Sequence, residues 1–186
     1  MLKSIFKLLF KLLYRIDVQG LGNYEKLGPR ALIVANHQSF LDGALLAVFL
    51  PGKPVFAVNK SMAEKWYFKP FLSFVTVFPL DPTNPMATKA IIGEVRKDQH
   101  CVIFPEGRIT VTGALMKIYE GPGLIADKAD AEVLPVRIEG AQYSRFSRVR
   151  GKFPSKLLPK ISLQILPPKK LKISDEVKGR ARRSAV

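Results

Sequence analysis

Two side chains capable of acid–base chemistry lie close together in the stretch ANHQSFLDG, where His37 precedes Asp42 by five residues. A carboxylate that hydrogen-bonds an imidazole fixes its tautomer and stabilises the imidazolium formed when the ring takes a proton. In a continuous helix this separation would turn the two side chains about 140° apart. We therefore place His37 in a loop before a helix that begins near Ser39, where it can pair with Asp42 as a general base.

The same stretch has a second interpretation. Ser39 and Asp42 match the S-x-x-[DE] pattern of a helix capping arrangement, with His37 merely adjacent. Taken alone, the pattern leaves catalysis and capping equally open.

A second constellation lies in FPEGRIT (104–110), which follows the apolar run CVIF. A tight Pro-Glu-Gly turn here sets polar groups at the carboxyl end of a strand, where ligands bind in open α/β sheets. Arg108 offers a planar guanidinium for a phosphate, and Gly107 allows close backbone approach. The alternative is a simple strand-to-loop turn with an exposed arginine.

From residue 30 onward, short apolar runs alternate with helix-like segments, which predicts an α/β domain with a mixed sheet and helices on its faces. The predicted strands are 31–35, 55–58, 75–78, 101–104, 133–138 and 161–166. The predicted helices are 39–50, 60–72, 85–98 and 114–128.

The N-terminal segment MLKSIFKLLFKLLYRI is amphipathic and basic at helical spacing. Its cations follow one stripe and its leucines and isoleucines cluster opposite; it lacks the unbroken apolar core of a signal peptide or a membrane span. A helix packed on its own domain remains an alternative, but we favour a helix lying on a membrane surface. This divides the chain into an amphipathic membrane-associating helix (1–20) and a single catalytic domain (21–186).

The chain has a formal net charge of +15, a pI near 10.1 and 47% hydrophobic residues. Such a basic surface attracts nucleic acid, anionic lipid or an acidic protein, and charge alone does not choose among them. Two histidines and the single Cys101 show no metal-ligand spacing, so we expect no metal site. We expect no cofactor either. Cys101 lies in an apolar run, which favours a buried thiol.

The patterns N-H-x-x-x-x-D and F-P-E-G, about sixty residues apart, resemble those of the glycerophospholipid acyltransferase family. VTVFPLDP (75–82) and VLPV (133–136) match its other two blocks, so the resemblance covers about 31–139. Many members carry an arginine at the end of the second block and read F-P-E-G-T-R in the third, whereas here Pro82 follows Asp81 and Arg108 directly follows Gly107. The runs KPVFAVNKS and GALMKIYEGPG look like the acyltransferase half of bacterial bifunctional enzymes that acylate 2-acylglycerophosphoethanolamine and also carry an acyl-carrier-protein synthetase.

The resemblance implies a glycerol-3-phosphate acyltransferase-like fold and transfer of a fatty acyl group from acyl carrier protein or coenzyme A to a lysophospholipid hydroxyl. His37 would take the hydroxyl proton, and Asp42 would hold the ring. Glu106, Gly107 and Arg108 would belong to the substrate site, with Glu106 positioning either the acceptor or the loop and Arg108 holding the lipid phosphodiester. Oxyanion donors would be amides after Asn36 or around Gly107. Further possible contributors are Lys117, Gly121, Gly123 and an acyl groove in WYFKPFLSF (66–74).

The resemblance also implies 2-acylglycerophosphoethanolamine as acceptor, acyl carrier protein and a phospholipid membrane as partners, no nucleic acid, and a peripheral or monotopic position on the cytoplasmic face of a bacterial inner membrane. The chain would be a fragment of a bifunctional protein or a free-standing relative. Three rival hypotheses stay open: a lysophosphatidate acyltransferase, a thioesterase whose His37 activates water, and a basic module that binds nucleic acid or anionic membranes without catalysis.

Overall fold

The structure is a computed structural model that describes residues 2–64, 66, 75–81, 84, 86–149, 151, 154–171 and 177. Its helices are α1 (Leu2–Tyr14), α2 (Leu21–Glu25), α3 (Leu41–Phe49), α4 (Lys60–Ala63), α5 (Ala87–Val95), α6 (Gly121–Ala129) and a 3₁₀ turn (Ala141–Tyr143). Its strands are β1 (Asp17–Gln19), β2 (Ala31–Ala35), β3 (Val55–Asn59), β4 (Thr76–Leu80), β5 (His100–Ile103), β6 (Glu132–Glu139), β7 (Ser162–Ile165) and β8 (Lys169–Lys170).

One mixed sheet contains all eight described strands, in the order β1-β7-β6-β2-β5-β3-β4, with β8 paired to the start of β6. The central run from β6 to β4 is parallel, and β7 and β8 are antiparallel to β6. Because β2, β5 and β6 are parallel neighbours, their carboxyl ends meet at one edge of the sheet. Both polar motifs of the sequence follow strands at this edge.

Apolar side chains cover both faces of the sheet, as expected for parallel strands buried between helices. On one face, Ile33 and Val136 pack with side chains of α1, α2 and α3. On the other face, Leu32 and Cys101 pack with α5 and α6. Alternate residues of β2 therefore face different helices, and the two layers fix the position of the carboxyl edge.

The prediction of a mixed α/β sheet is confirmed, and each predicted strand is present with ends that differ by at most two residues. The helix predicted over 114–128 is wrong in its first half, since α6 begins at Gly121. Pro122 suits the first turn of a helix, and the preceding residues form a loop whose apolar side chains line a cleft. Most of the helix predicted over 60–72 lies outside the described residues.

Helix α1 confirms the predicted amphipathic N-terminal helix but has two apolar faces. Phe6, Phe10 and Tyr14 pack toward the core. The Lys3 ammonium donates to the backbone oxygen of Leu50 at 2.7 Å, so this exposed residue also binds the end of α3. Burial, and then the charge of Lys7, lower the pKa of Lys3. The helix thus packs on the domain with one face and leaves the other exposed.

That other face carries large apolar side chains in contact with solvent: Ile5, Leu8, Leu9, Leu12 and Leu13. Within the described residues, no helix has both the length and the apolar character needed to cross a membrane.

Candidate active site

The His37 ring pairs with the Asp42 carboxylate, as the sequence spacing predicted. Nδ1 of His37 lies 2.9 Å from Oδ2 of Asp42. Because an ionised carboxylate can only accept hydrogen bonds, this contact puts the proton on Nδ1 and leaves the lone pair on Nε2. The ring is therefore arranged to accept a proton at Nε2.

Asp42, in the first turn of α3, also binds the residues that precede this helix, as the S-x-x-[DE] pattern predicted, so the two interpretations of this stretch hold together. Its Oδ2 atom accepts the backbone N–H groups of Gln38 at 2.5 Å and Ser39 at 2.8 Å, and its Oδ1 accepts the Ser39 hydroxyl. The side chain of Asp42 is fully buried. Several donors on one buried carboxylate fix its position and, through it, that of the His37 ring.

The His37 ring is partly accessible and rests on an aromatic surface. It stacks on Phe104 with ring centroids 4.0 Å apart and planes 14° apart, and its side chain is 19% exposed. Phe104 follows β5 and begins the FPEG motif. The second motif therefore supplies the aromatic ring on which His37 of the first motif stacks, a contact the sequence did not reveal.

Glu106 joins the two motifs through backbone contacts. Its Oε1 accepts the N–H of His37 at 2.8 Å, and its Oε2 accepts the N–H of Met116 at 2.9 Å. The side chain is 2% exposed. Each carboxylate oxygen of Glu106 therefore accepts an N–H from a loop. Glu106 positions these loops, which is one of the two roles that the sequence left open for it.

The residues after Glu106 form the surface of the turn. Gly107 adopts a left-handed φ of 67° and donates to the Phe104 carbonyl at 3.0 Å, which closes the turn. Arg108 is exposed and has no hydrogen bond to another described residue. Its guanidinium is therefore available to an anion from solvent or from a membrane.

Four of the amides predicted as oxyanion donors already have acceptors within the protein. The amides of His37, Gln38 and Ser39 already donate to carboxylates, and the amide of Gly107 donates to a carbonyl. Each of these N–H groups therefore stabilises the local fold through its own hydrogen bond. None of these bonds involves the amide of Arg108, so an oxyanion donor beside Gly107 stays a prediction.

Two residues to which the sequence analysis gave no role hold the His37 loop in place. Asn36 exchanges two hydrogen bonds with the backbone of Ile138, at 2.9 and 2.7 Å, and so ties the loop to β6. Thr110 donates its N–H to the His37 carbonyl at 2.8 Å. Asn36 stands directly before His37 in the motif, a signal that could have found it.

The basic run 145–153 lies against the start of α3 over its described part. Phe40 donates its N–H to the Phe146 carbonyl at 3.1 Å, and the guanidinium carbon of Arg148 lies 5.3 Å from the centroid of the Phe40 ring. Arg145 and Arg148 are exposed. This loop brings cations close to the His37 segment.

A cleft of about 670 Å³ opens at the same carboxyl edge, on the α6 face of the sheet. Its walls are mainly apolar, from β2, β6 and the loop before α6. Asn36 and Gln38, which flank His37, line it, while the His37 ring itself turns toward Phe104 on the other face. The cleft thus adjoins the dyad without containing it.

The structure also locates most of the other residues that were predicted to contribute to the site. Lys117 is exposed, with its ammonium 5.8 Å from the Tyr119 ring centroid. Gly121 starts α6, and Gly123 lines the cleft. The proposed acyl groove in 66–74 lies, apart from the exposed Trp66, outside the described residues. Cys101 is buried as predicted.

A partly exposed His–Asp pair at the carboxyl edge of an α/β sheet suits an enzyme in which an imidazole activates an oxygen nucleophile. A family model described as Acyltransferase matches residues 15–139, more than half of the chain. The chain therefore belongs to the Acyltransferase family, and the prediction of an acyltransferase is confirmed at this level.

Relatives of known name support the same assignment. A chloroplastic 1-acyl-sn-glycerol-3-phosphate acyltransferase from Arabidopsis thaliana is 27% identical over 135 residues, which cover 68% of this chain and 36% of that protein. A chloroplastic protein of the same description from Brassica napus is 29% identical over 137 residues, covering 68% of this chain and 38% of that protein. The chain thus spans less than two fifths of the length of these relatives.

A solved structure shows the shared fold. The crystal structure of the 1-acyl-sn-glycerophosphate acyltransferase from Thermotoga maritima superposes with a TM-score of 0.72 at 22% identity, covering 98% of this chain and 73% of that one. The predicted acyltransferase-like architecture is therefore confirmed.

Proposed function

We propose that this chain transfers a fatty acyl group from acyl carrier protein or coenzyme A to the free sn-1 hydroxyl of 2-acylglycerophosphoethanolamine, giving phosphatidylethanolamine. The observation that carries the proposal is the 2.9 Å contact between Nδ1 of His37 and the buried Asp42, in a chain of the Acyltransferase family. The resemblance of its motifs to the bifunctional bacterial enzymes supports the choice of acceptor.

The reaction follows from the geometry of the dyad. As the lysophospholipid oxygen attacks the thioester carbonyl, its proton passes to Nε2 of His37, and Asp42 stabilises the imidazolium. The new C–O bond forms, the C–S bond breaks, and the departing thiolate takes the proton from the ring. Such general base catalysis contributes roughly 10²–10⁴-fold in rate. No covalent enzyme intermediate is required.

A second candidate acceptor is lysophosphatidate. Both plant relatives are described as 1-acyl-sn-glycerol-3-phosphate acyltransferases, and the structural neighbour carries the corresponding description. The same dyad would serve this reaction, because the nucleophile is again a glycerol hydroxyl. The two candidates differ only in the headgroup and in the position of the free hydroxyl.

We also propose that the chain works as a peripheral protein at the cytoplasmic face of a bacterial inner membrane. Support comes from the outer face of α1, where Leu8 is 71% exposed and Leu12 is 75% exposed. Exposed Lys11 and Arg15 flank this face, and cations near an anionic leaflet each add on the order of 1 kcal/mol of attraction. An apolar patch with basic neighbours suits a helix lying at the bilayer interface.

The test is acyl transfer on liposomes from a labelled acyl-carrier-protein thioester, with 2-acylglycerophosphoethanolamine or lysophosphatidate as acceptor and a sample without acceptor. We expect labelled phosphatidylethanolamine and little free fatty acid. Phosphatidate alone would establish the second candidate. Free fatty acid released equally with and without acceptor would instead identify a thioesterase, and salt-sensitive DNA binding without turnover would identify a basic binding module.

A further inference from the structure

One end of the cleft holds polar side chains without partners. Gln38 is 6% exposed and lines the cleft, yet its side-chain oxygen accepts no hydrogen bond from any described residue. The side-chain oxygen of the half-buried Gln142 is in the same state and lines the same cleft. A buried acceptor without a donor is costly, and both side chains line the cleft. Rotation of either side-chain amide toward the cleft would let a ligand supply the missing N–H or O–H donor.

These glutamines lie at the same end of the cleft. Gln38 follows β2 and Gln142 follows β6, and these two strands are parallel neighbours. The hydrogen bonds between Asn36 and Ile138 hold the two strand ends together. The unpaired acceptors therefore belong to the edge of the sheet that carries His37.

The charge of the cleft contrasts with that of the whole chain. Among the described residues that line it, the charged ones are Arg137 and Glu139, which form an ion pair with each other. The cleft is therefore close to neutral, although the chain carries a net charge of +15. Both side chains are about half exposed, at 60% and 45%, so their mutual contact adds little stability and can be exchanged for a ligand.

These features discriminate among phospholipid headgroups. A phosphoethanolamine is a zwitterion, whose phosphodiester suits the Arg137 guanidinium and whose ammonium suits the Glu139 carboxylate. The ammonium has three N–H donors, enough to reach the glutamine oxygens as well. A phosphomonoester brings an excess of negative charge and no N–H donor. A trimethylated ammonium keeps the charge but has no N–H.

We propose that Gln38, Gln142, Arg137 and Glu139 form a subsite for a phosphoethanolamine headgroup and give this chain a preference for ethanolamine lysophospholipids over lysophosphatidate. The inference rests on the proposed function and deepens it by naming the residues that select the acceptor. The lysophospholipid headgroup would occupy the end of the cleft beside Gln38, with the glycerol hydroxyl directed around the strand end toward His37.

The test uses water-soluble headgroups as probes, by ligand-observed NMR titration of the full chain. The probes are sn-glycero-3-phosphoethanolamine, sn-glycero-3-phosphocholine and sn-glycerol 3-phosphate. We expect the ethanolamine compound to bind about tenfold more tightly than the other two. Glu139→Gln and Gln142→Leu should each remove most of this preference. Gln99→Leu, at a half-buried glutamine preceding β5 on the opposite edge of the sheet, is the matched control and should leave it unchanged.

Thermal melting of each variant verifies folding, and Glu139→Gln changes a side chain exposed enough to leave the fold intact. Equal affinity for all three probes in the native chain, or an unchanged preference in both folded variants, overturns the inference. Parallel acyl transfer separates the two proposals. Selective binding without transfer rejects the proposed function and supports the subsite. Transfer with equal kcat/KM for both acceptors, in native and variant chains alike, rejects the subsite and supports the proposed acyltransferase function.

Discussion

Glu106 accepts a 2.8 Å hydrogen bond from the backbone N–H of His37, a residue 69 positions earlier in the chain. Its second oxygen holds the loop before α6 through Met116. The position of the proposed base therefore depends on a carboxylate in the other motif. This explains physically why the two motifs must occur together for the site to form.

Glu106→Gln should destabilise the protein and reduce acyl transfer. The amide keeps one acceptor oxygen but turns an NH₂ group toward one of the two backbone N–H groups. An unpaired buried donor costs about 1–3 kcal/mol, which corresponds to a Tm lower by roughly 3–10 °C for a domain of this size. Circular dichroism melting measures the shift, with the exposed Glu25→Gln as control. A Tm equal to that of the native chain would contradict the bridging role.

Arg108→Gln should weaken the binding of the lysophospholipid without affecting the fold. Because Arg108 is exposed and unpaired among the described residues, its loss should leave Tm unchanged. We expect KM for the acceptor to rise about tenfold, with partial recovery in Arg108→Lys, which keeps the charge but loses the planar fork. Lys53→Gln, an exposed cation preceding β3 at the other edge, is the control. An unchanged KM would show that Arg108 takes no part in binding the acceptor.

Charges on the outer face of α1 should release the chain from membranes. Leu8→Glu combined with Leu12→Glu replaces two exposed leucines, whose burial in a bilayer interface contributes about 1.5–3 kcal/mol each. Liposome flotation should show at least about a tenfold loss of binding, with an unchanged Tm. Leu157→Glu, at an exposed leucine outside α1, should bind as the native chain does. Equal flotation of all three proteins would refute the membrane role of this face.

Cys101 should be chemically inert in the folded chain. Burial, and then the charge of Glu94, raise the pKa of its thiol from 9.0 to about 12. Because the thiolate is the nucleophile, iodoacetamide at pH 8 should leave the native protein unmodified and label it fully in guanidinium. The folded chain holds the Cys101 thiol proton to a higher pH than the unfolded chain does. The thiol's contribution to the free energy of unfolding is therefore present below pH 9 and is lost as the pH rises toward 12. Rapid labelling of the folded chain would show that the thiol is accessible.

The strands of the sheet could be predicted because the central ones are short apolar runs ended by turn residues, as β2 and β5 are. Short edge strands such as β1 and β8 carry no such run; their few residues are recruited by pairing with β7 and β6. The sequence predicts a helix in the loop before α6 because Leu115, Ile118 and Tyr119 have helix-like spacing. They line the cleft instead.

The dyad could be predicted because His37 and Asp42 are five residues apart and the loop geometry is local. The long-range partners could not, since their pairing depends on how the strand ends meet. Phe104 under the His37 ring and Gln142 near Gln38 are brought together only by the sheet order. Nothing in the local sequence around Gln142 distinguishes it from an ordinary surface glutamine.

The most direct test of the account is acyl transfer to lysophospholipid by His37→Ala beside the native chain. We predict a fall of at least about 10²-fold in kcat, with a Tm near that of the native protein. His100→Gln is the matched control, because the other histidine is bound to Tyr24 and Gly28 at the opposite edge of the sheet, and its activity should persist. Activity in His37→Ala within twofold of the native chain would show that His37 is not the base.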